Sequence, residues 1–124
     1  MSDDFLALFS NATDIIRLEP GQVLFDKGET GSQMYVVKSG EVTIGDGNHV
    51  FERLSMGGIV GEMALMDKGP RSATVRAVTE AEVIPIDQRR FLFMVQQTPF
   101  FAIRVVRVMS ARLRAMNERI TALP

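Results

Sequence analysis

Apolar and polar positions alternate along this chain in two rhythms. From Asp14 to Ile86 the apolar residues come in short runs, each closed by turn-forming residues. Ile15-Ile16-Arg17-Leu18 gives way to Glu19-Pro20-Gly21, and Val23-Leu24-Phe25 to Lys27-Gly28-Glu29. Met34 to Lys38 is followed by Ser39-Gly40, Val42 to Ile44 by Gly45-Asp46-Gly47, and Val50 to Leu54 by Met56-Gly57-Gly58. Ala73 to Val78 and Glu82 to Ile86 complete the series. Runs rich in β-branched and aromatic residues, punctuated by Gly, Pro and Asp, predict many short strands packed as a sandwich or jelly roll.

After Ile86 the period lengthens. Asp87 is a helix cap for Gln88 to about Gln97, and Thr98-Pro99 stops that helix. Pro99 suits the first turn of a second helix that runs to about Leu123. Ala102, Val106, Met109, Leu113, Met116, Ile120 and Leu123 recur at alternating steps of four and three, a heptad seam about three repeats long. Phe101, Val105 and Val108 form a second stripe in the first half only. At 1.5 Å per residue such a helix reaches roughly 37 Å, longer than a small barrel covers. One stripe is therefore expected to pack on the barrel and the seam to meet a second copy of the same helix, making a homodimer; packing of the seam on its own barrel is the alternative. At the other end, Ser2 followed by Asp3 and Asp4 is a cap with acids facing the helix dipole, opening a short helix with Phe5, Leu8 and Phe9 on one side. The expected fold is mainly β with helices: one domain, with an N-terminal helix over 1–13, a β-sandwich or jelly roll over 14–86, and two C-terminal helices over 87–124, the last one long.

Composition narrows the chemistry. A chain of 124 residues, 46% apolar and 23% charged, suits one globular core. It has no cysteine, so thiolate ligands and cysteine nucleophiles are excluded, and its one histidine, His49, lies at a loop tip or strand start after Gly45 to Asn48. Zinc usually wants several nitrogen or sulfur ligands, and a Ser-His-Asp triad would have to be built around this one exposed-looking position alone. Neither a metal, a cofactor nor an enzymatic activity is expected. No run approaches the roughly 18 apolar residues of a membrane span. The acidic N-terminus is unlike a signal peptide, so a cytoplasmic protein is expected.

The net charge of −1 divides unevenly: residues 1–85 carry 7 basic against 13 acidic residues, residues 86–124 carry 7 against 2. The arginines of the last helix are dispersed at helical intervals, which reads as a solvated face rather than a nucleic-acid surface; no DNA or RNA partner is expected.

The segment with chemistry is GEMALMDKGPRSATV, Gly61 to Val75. Gly61 precedes a short helical run, Glu62 to Met66, whose exposed N–H groups suit an anion. Gly69-Pro70 turns the chain and delivers Arg71 at the mouth of a strand, where its planar fork matches phosphate oxygens. Ser72 adds a hydroxyl, and the small Ala73 lets its N–H come close. Glu62 offers a carboxylate to hydroxyl donors, so a ligand with a phosphate and a sugar hydroxyl would satisfy both ends. Spacing alone leaves open a Glu62–Arg71 salt bridge that pins the loop, worth little if exposed.

The order of motifs resembles the cyclic nucleotide-binding domain of Crp-type regulators, cyclic nucleotide-gated channels and cyclic nucleotide-dependent kinases. The resemblance rests on Gly21-Gln22-Val23-Leu24-Phe25 with Lys27-Gly28-Glu29, on Met34-Tyr35-Val36-Val37 with Ser39-Gly40-Glu41-Val42, and on the phosphate-binding cassette Gly61-Glu62-Met63-Ala64-Leu65 and Pro70-Arg71-Ser72-Ala73-Thr74-Val75. It implies a β-jelly-roll barrel (double-stranded β-helix) over 14–86, in which Glu62 holds the ribose hydroxyl and Arg71 the cyclic phosphate, helped by the Ser72 hydroxyl and the Ala73 amide. Backbone around Gly61 to Ala64 would line the ribose, and Met63 and Val75 would face the base. Many relatives have phenylalanine where Val60 stands. Ser72 replaces the threonine of relatives that favour cyclic GMP, which leans towards cyclic AMP. By alignment, Asn117 on the last helix is the polar residue that could touch the base. The resemblance therefore implies a stand-alone sensor of cyclic AMP or cyclic GMP that rearranges its C-terminal helices and signals to an unknown protein effector. The rivals are a non-binding scaffold with a vestigial pocket and an excised regulatory piece of a channel or regulator.

Overall fold

The structure is a computed structural model that describes residues 13–121. The proposed N-terminal helix and Leu123 lie outside the described residues. Among the described residues ten strands and three helices follow one another: β1 (Ile16–Leu18), β2 (Val23–Phe25), β3 (Thr30–Gly31), β4 (Met34–Ser39), β5 (Val42–Asp46), β6 (His49–Leu54), β7 (Ile59–Val60), α1 (Glu62–Met66), β8 (Gly69–Pro70), β9 (Thr74–Ala77), β10 (Ala81–Ile86), α2 (Gln88–Gln97) and α3 (Phe100–Thr121). Two antiparallel four-stranded sheets, ordered β1-β10-β4-β7 and β2-β9-β5-β6, form the jelly roll, and the two-stranded ribbon β3-β8 stands beside them.

The first sheet is apolar on both faces, and the period of two explains how one strand serves two layers. On β4, Met34 and Val36 join the cluster that includes Phe101 and Val105 of α3 and Met94 of α2. Val37, on the opposite face, joins Val42, Val75 and Val83 between the sheets. Val50 and Phe51 of β6, the edge strand of the second sheet, remain exposed.

Asp87 caps α2 as expected, its carboxylate accepting from the Arg90 amide at 2.8 Å. On α3 the two stripes separate. Phe101 and Val105 are buried, whereas Val106 and Leu113 of the seam are 61% and 59% exposed. The first half of α3 is thus bound to the sheet; of the seam, Met109 packs against that same core, while Val106, Leu113, Met116 and Ile120 are open within one chain. Two short pairings escaped the sequence pattern: β7 on β4, and β3 on β8, where Gly69-Pro70, expected as a turn, is a paired strand instead.

Candidate functional site

Gly61 to Val75 runs from β7 through α1 and β8 into β9, and wraps a cavity of about 340 Å³. That volume lies at the lower end of small-molecule pockets, about 300–1,000 Å³. Gly61 is the N-cap of α1 at φ 77°, a left-handed conformation that favours glycine, and no side chain caps the helix.

Arg71 is delivered by the β3-β8 ribbon. Its N–H donates to the Glu29 carbonyl at 2.7 Å, and its carbonyl accepts from the Gly28 N–H at 2.9 Å. The side chain is only 6% exposed. Its guanidinium lies 4.0 Å from the centre of the Phe25 ring and 5.8 Å from that of Tyr35, and Nη1 donates to the Gly61 carbonyl at 3.3 Å. No carboxylate of the described residues forms a salt bridge with it. Burial lowers its pKa from the ordinary value, against the opposing influence of Tyr35, Glu29 and Glu62. Arginine remains charged through such a shift at neutral pH. A buried cation with aromatic faces and one carbonyl, beside an open cavity, can accept an anion without first breaking an ion pair.

Glu62 is 3% exposed, and its partner is Arg112 of α3 rather than Arg71. Arg112 Nη1 donates to Glu62 Oε1, Nε donates to Glu52 Oε1 at 3.0 Å, and Nη2 donates to the Ile59 carbonyl at 2.5 Å. The loop-pinning Glu62–Arg71 bridge is therefore not formed. The cavity combines one buried cation and one buried carboxylate, each on its own support.

Of the residues singled out from the sequence, Gly61, Glu62, Met63, Ala64, Arg71, Ser72, Ala73 and Val75 all line this cavity. Val60 does not: it is fully buried in the cluster between the sheets, because the period of two turns it inward from β7. Asn117 lies instead at a shallow depression with Arg114, Glu118 and Thr121 on the exposed second half of α3. The helical turn presents Arg112 to the cavity in its place.

Arg112, one of the arginines expected on a solvated face, instead lines the cavity with its side chain only 21% exposed. Sequence reasoning also missed Gly31 and the Phe25 and Tyr35 rings around Arg71. Phe25 and Tyr35 stand in motifs already noted, but nothing in the linear pattern says that their rings meet a guanidinium from residue 71.

A family model described as "Cyclic nucleotide-binding domain" matches residues 15–98. The chain is 32% identical over 113 residues to the cyclic AMP receptor protein of Thermus thermophilus, covering 86% of this chain and 52% of that protein. It is 28% identical over 108 residues to a CRP-like cAMP-activated global transcriptional regulator of Mycobacterium tuberculosis, covering 83% and 48% respectively. The chain thus spans about half the length of these curated relatives. Among solved structures, the catabolite activator protein of Thermus thermophilus superposes with a TM-score of 0.80 at 24% identity, covering 95% of this chain and 58% of that one, a likeness of fold.

Proposed function

This chain belongs to the cyclic nucleotide-binding domain family, and from that premise we propose that it is a sensor of cyclic AMP, with cyclic GMP as the second nucleotide its site would take. The observation that carries the reading is the buried Arg71 guanidinium, without a carboxylate partner among the described residues, on the wall of the cavity that Glu62 also lines. A cyclic phosphate would complete the cation, and the free ribose hydroxyl would donate to Glu62. Ile44, Phe25, Met63 and Val75 offer apolar surface to a base. The protein's role is binding, not catalysis.

Signalling would run through α3. A ligand shifts a conformational equilibrium only by binding one arrangement more tightly than another, and α3 reaches the cavity through Arg112. The exposed seam residues of α3, Val106, Leu113, Met116 and Ile120, are where a second copy of the chain would dock, and through it an effector protein. The cyclic AMP-responsive relatives support the choice of nucleotide by analogy.

Calorimetric titration with cyclic AMP and cyclic GMP, on the parent and on Arg71→Ala, tests this reading. The parent should bind with a saturable isotherm, and the variant should lose about 2–5 kcal/mol because the buried phosphate is left unpaired. Equal affinity in both proteins would remove the site assignment, and no binding by the parent would favour a scaffold whose pocket is vestigial.

A further inference from the structure

A second concavity, of about 490 Å³, lies where the turn from β6 to β7 meets α3. Four arginines line it, Arg53, Arg104, Arg107 and Arg112, against one carboxylate, Glu52. Glu52 is already engaged by Arg112 at 3.0 Å, and Arg53 by Glu41 at 2.8 Å. Arg104 and Arg107 stand three residues apart on α3 and so share one side of it. Arg104 reaches the turn, where its Nη2 would lie 3.5 Å from a Cβ on Gly57. Arg107 is exposed, its guanidinium 5.7 Å from the centre of the Phe100 ring, and it forms no salt bridge among the described residues. Leu54, Met56, Ile59 and Val108 give the same groove apolar wall. The exposed seam residues of α3 do not line it, so a second copy on the seam leaves this face open.

We propose that this groove docks an acidic segment of a partner protein, with carboxylates on Arg104 and Arg107 and apolar side chains on Leu54 and Val108. Charge complementarity sets the sign of the partner, and the planar guanidinium suits carboxylates. The lining selects among anionic partners. No aromatic side chain among the described residues lines the groove, so nucleic-acid bases find no stacking platform. A lipid surface takes up apolar side chains that project from a helix face, whereas these line a hollow. A small anion would meet the cations and leave the apolar wall wet. Alternating acidic and apolar side chains on one peptide satisfy both kinds of wall. Docking here does not depend on the cyclic nucleotide reading.

The test is fluorescence anisotropy of a labelled octapeptide of six glutamates and two spaced leucines, titrated with this chain at about 0.15 M salt. The parent should bind it saturably. Glutamine in place of the glutamates, or serine in place of the leucines, should weaken binding by at least about tenfold. Arg107→Glu, a charge reversal at an exposed position, should also cost at least about tenfold. Arg114→Glu makes the same change of charge two turns along α3, outside the groove, and should stay within about twofold of the parent, since screening mutes charges at that separation. Arg104→Gln decides by the same criterion if Arg107→Glu does not fold. Equal losses in Arg107→Glu and Arg114→Glu would reduce the effect to general attraction by a basic helix and overturn the proposal. No saturable binding by the parent overturns it too, as does a serine-substituted peptide that binds equally well, which would leave a site for small anions only. Binding to phosphatidylserine vesicles with none to the peptide would assign the face to a membrane instead.

Discussion

Arg71 lies across the face of Gly31 so closely that a Cβ on Gly31 would stand 2.2 Å from Arg71 Nε and 2.3 Å from Cζ. The obstructing atoms belong to a flexible side chain rather than to backbone, and Gly31 has no positive φ that would strain alanine. Gly31→Ala should therefore leave the fold intact and push the guanidinium off the Phe25 ring. Cyclic AMP affinity should fall by at least about tenfold, roughly the worth of one misplaced charge-assisted contact, with little change in Tm. Unaltered binding in a folded variant would mean that Arg71 does not hold the ligand.

The uncompensated Arg71 charge has a stability consequence. Burial lowers this base's pKa in the folded state; its charged form is thus disfavoured by folding. That cost is present at all pH values below the folded pKa, neutral pH included, and is relieved only as the pH climbs through that pKa. Removing the charge while keeping the volume, as in Arg71→Met, forfeits a ring contact of about 1–2 kcal/mol and a hydrogen bond of about 1 kcal/mol. It also removes a desolvation cost of several kcal/mol. The ligand-free variant should melt at the parent's Tm or a few degrees above it at neutral pH. A clear drop in Tm by scanning calorimetry would show that the protein itself already neutralises Arg71.

The open seam of α3 predicts self-association. Leu113 is 59% and Met116 48% exposed, one step apart in the heptad pattern. Leu113→Glu combined with Met116→Glu removes about 1.5–3 kcal/mol of apolar burial per site in an interface, and adds like charges facing each other. Light scattering should give twice the chain mass for the parent and the single-chain mass for the double variant. A parent of single-chain mass at working concentration would remove the homodimer.

Glu82 offers a check on the first sheet. Arg17 Nη2 donates to its carboxylate at 3.1 Å and the Ser39 hydroxyl at 3.3 Å, and these bonds, Arg17's above all, hold its pKa below the usual carboxylate value. A depressed acid pKa contributes stability above the unfolded value, about 4.3, and loses it as the pH falls through the folded value. A carbon-13 NMR titration should place the Glu82 midpoint below that of a free glutamate, and Arg17→Ala should move it back up. An unshifted midpoint in the parent would mean that the β1–β10 edge is not paired through these side chains.

Much of the fold is legible in the linear pattern because local signals agree with the tertiary result. The β1, β4 and β10 runs are apolar with turn residues at their ends, and α2 matches its expected bounds, Gln88–Gln97, because Asp87 and Pro99 punctuate it. The start of the cassette is legible for the same reason: Gly61 marks the left-handed cap of α1, whose chemistry is local. The two-residue strands β3 and β7 are not, since two residues carry no period and their pairing depends on a partner far along the chain.

The sequence by itself determined the succession of short strands followed by two helices, the buried stripe of Phe101 and Val105 on α3, and the placing of Glu62 and Arg71 in one segment. Alternation, capping and turn formation act over a few residues, and each leaves its mark in neighbouring positions. Only the tertiary structure decided the company those two residues keep: Gly31, Phe25 and Tyr35 about Arg71, and Arg112 upon Glu62 from 50 residues away. Those contacts come from packing α3 and the β3-β8 ribbon against the sheets. An arginine bound for solvent and one bound for a buried carboxylate look alike until that packing turns one of them inward.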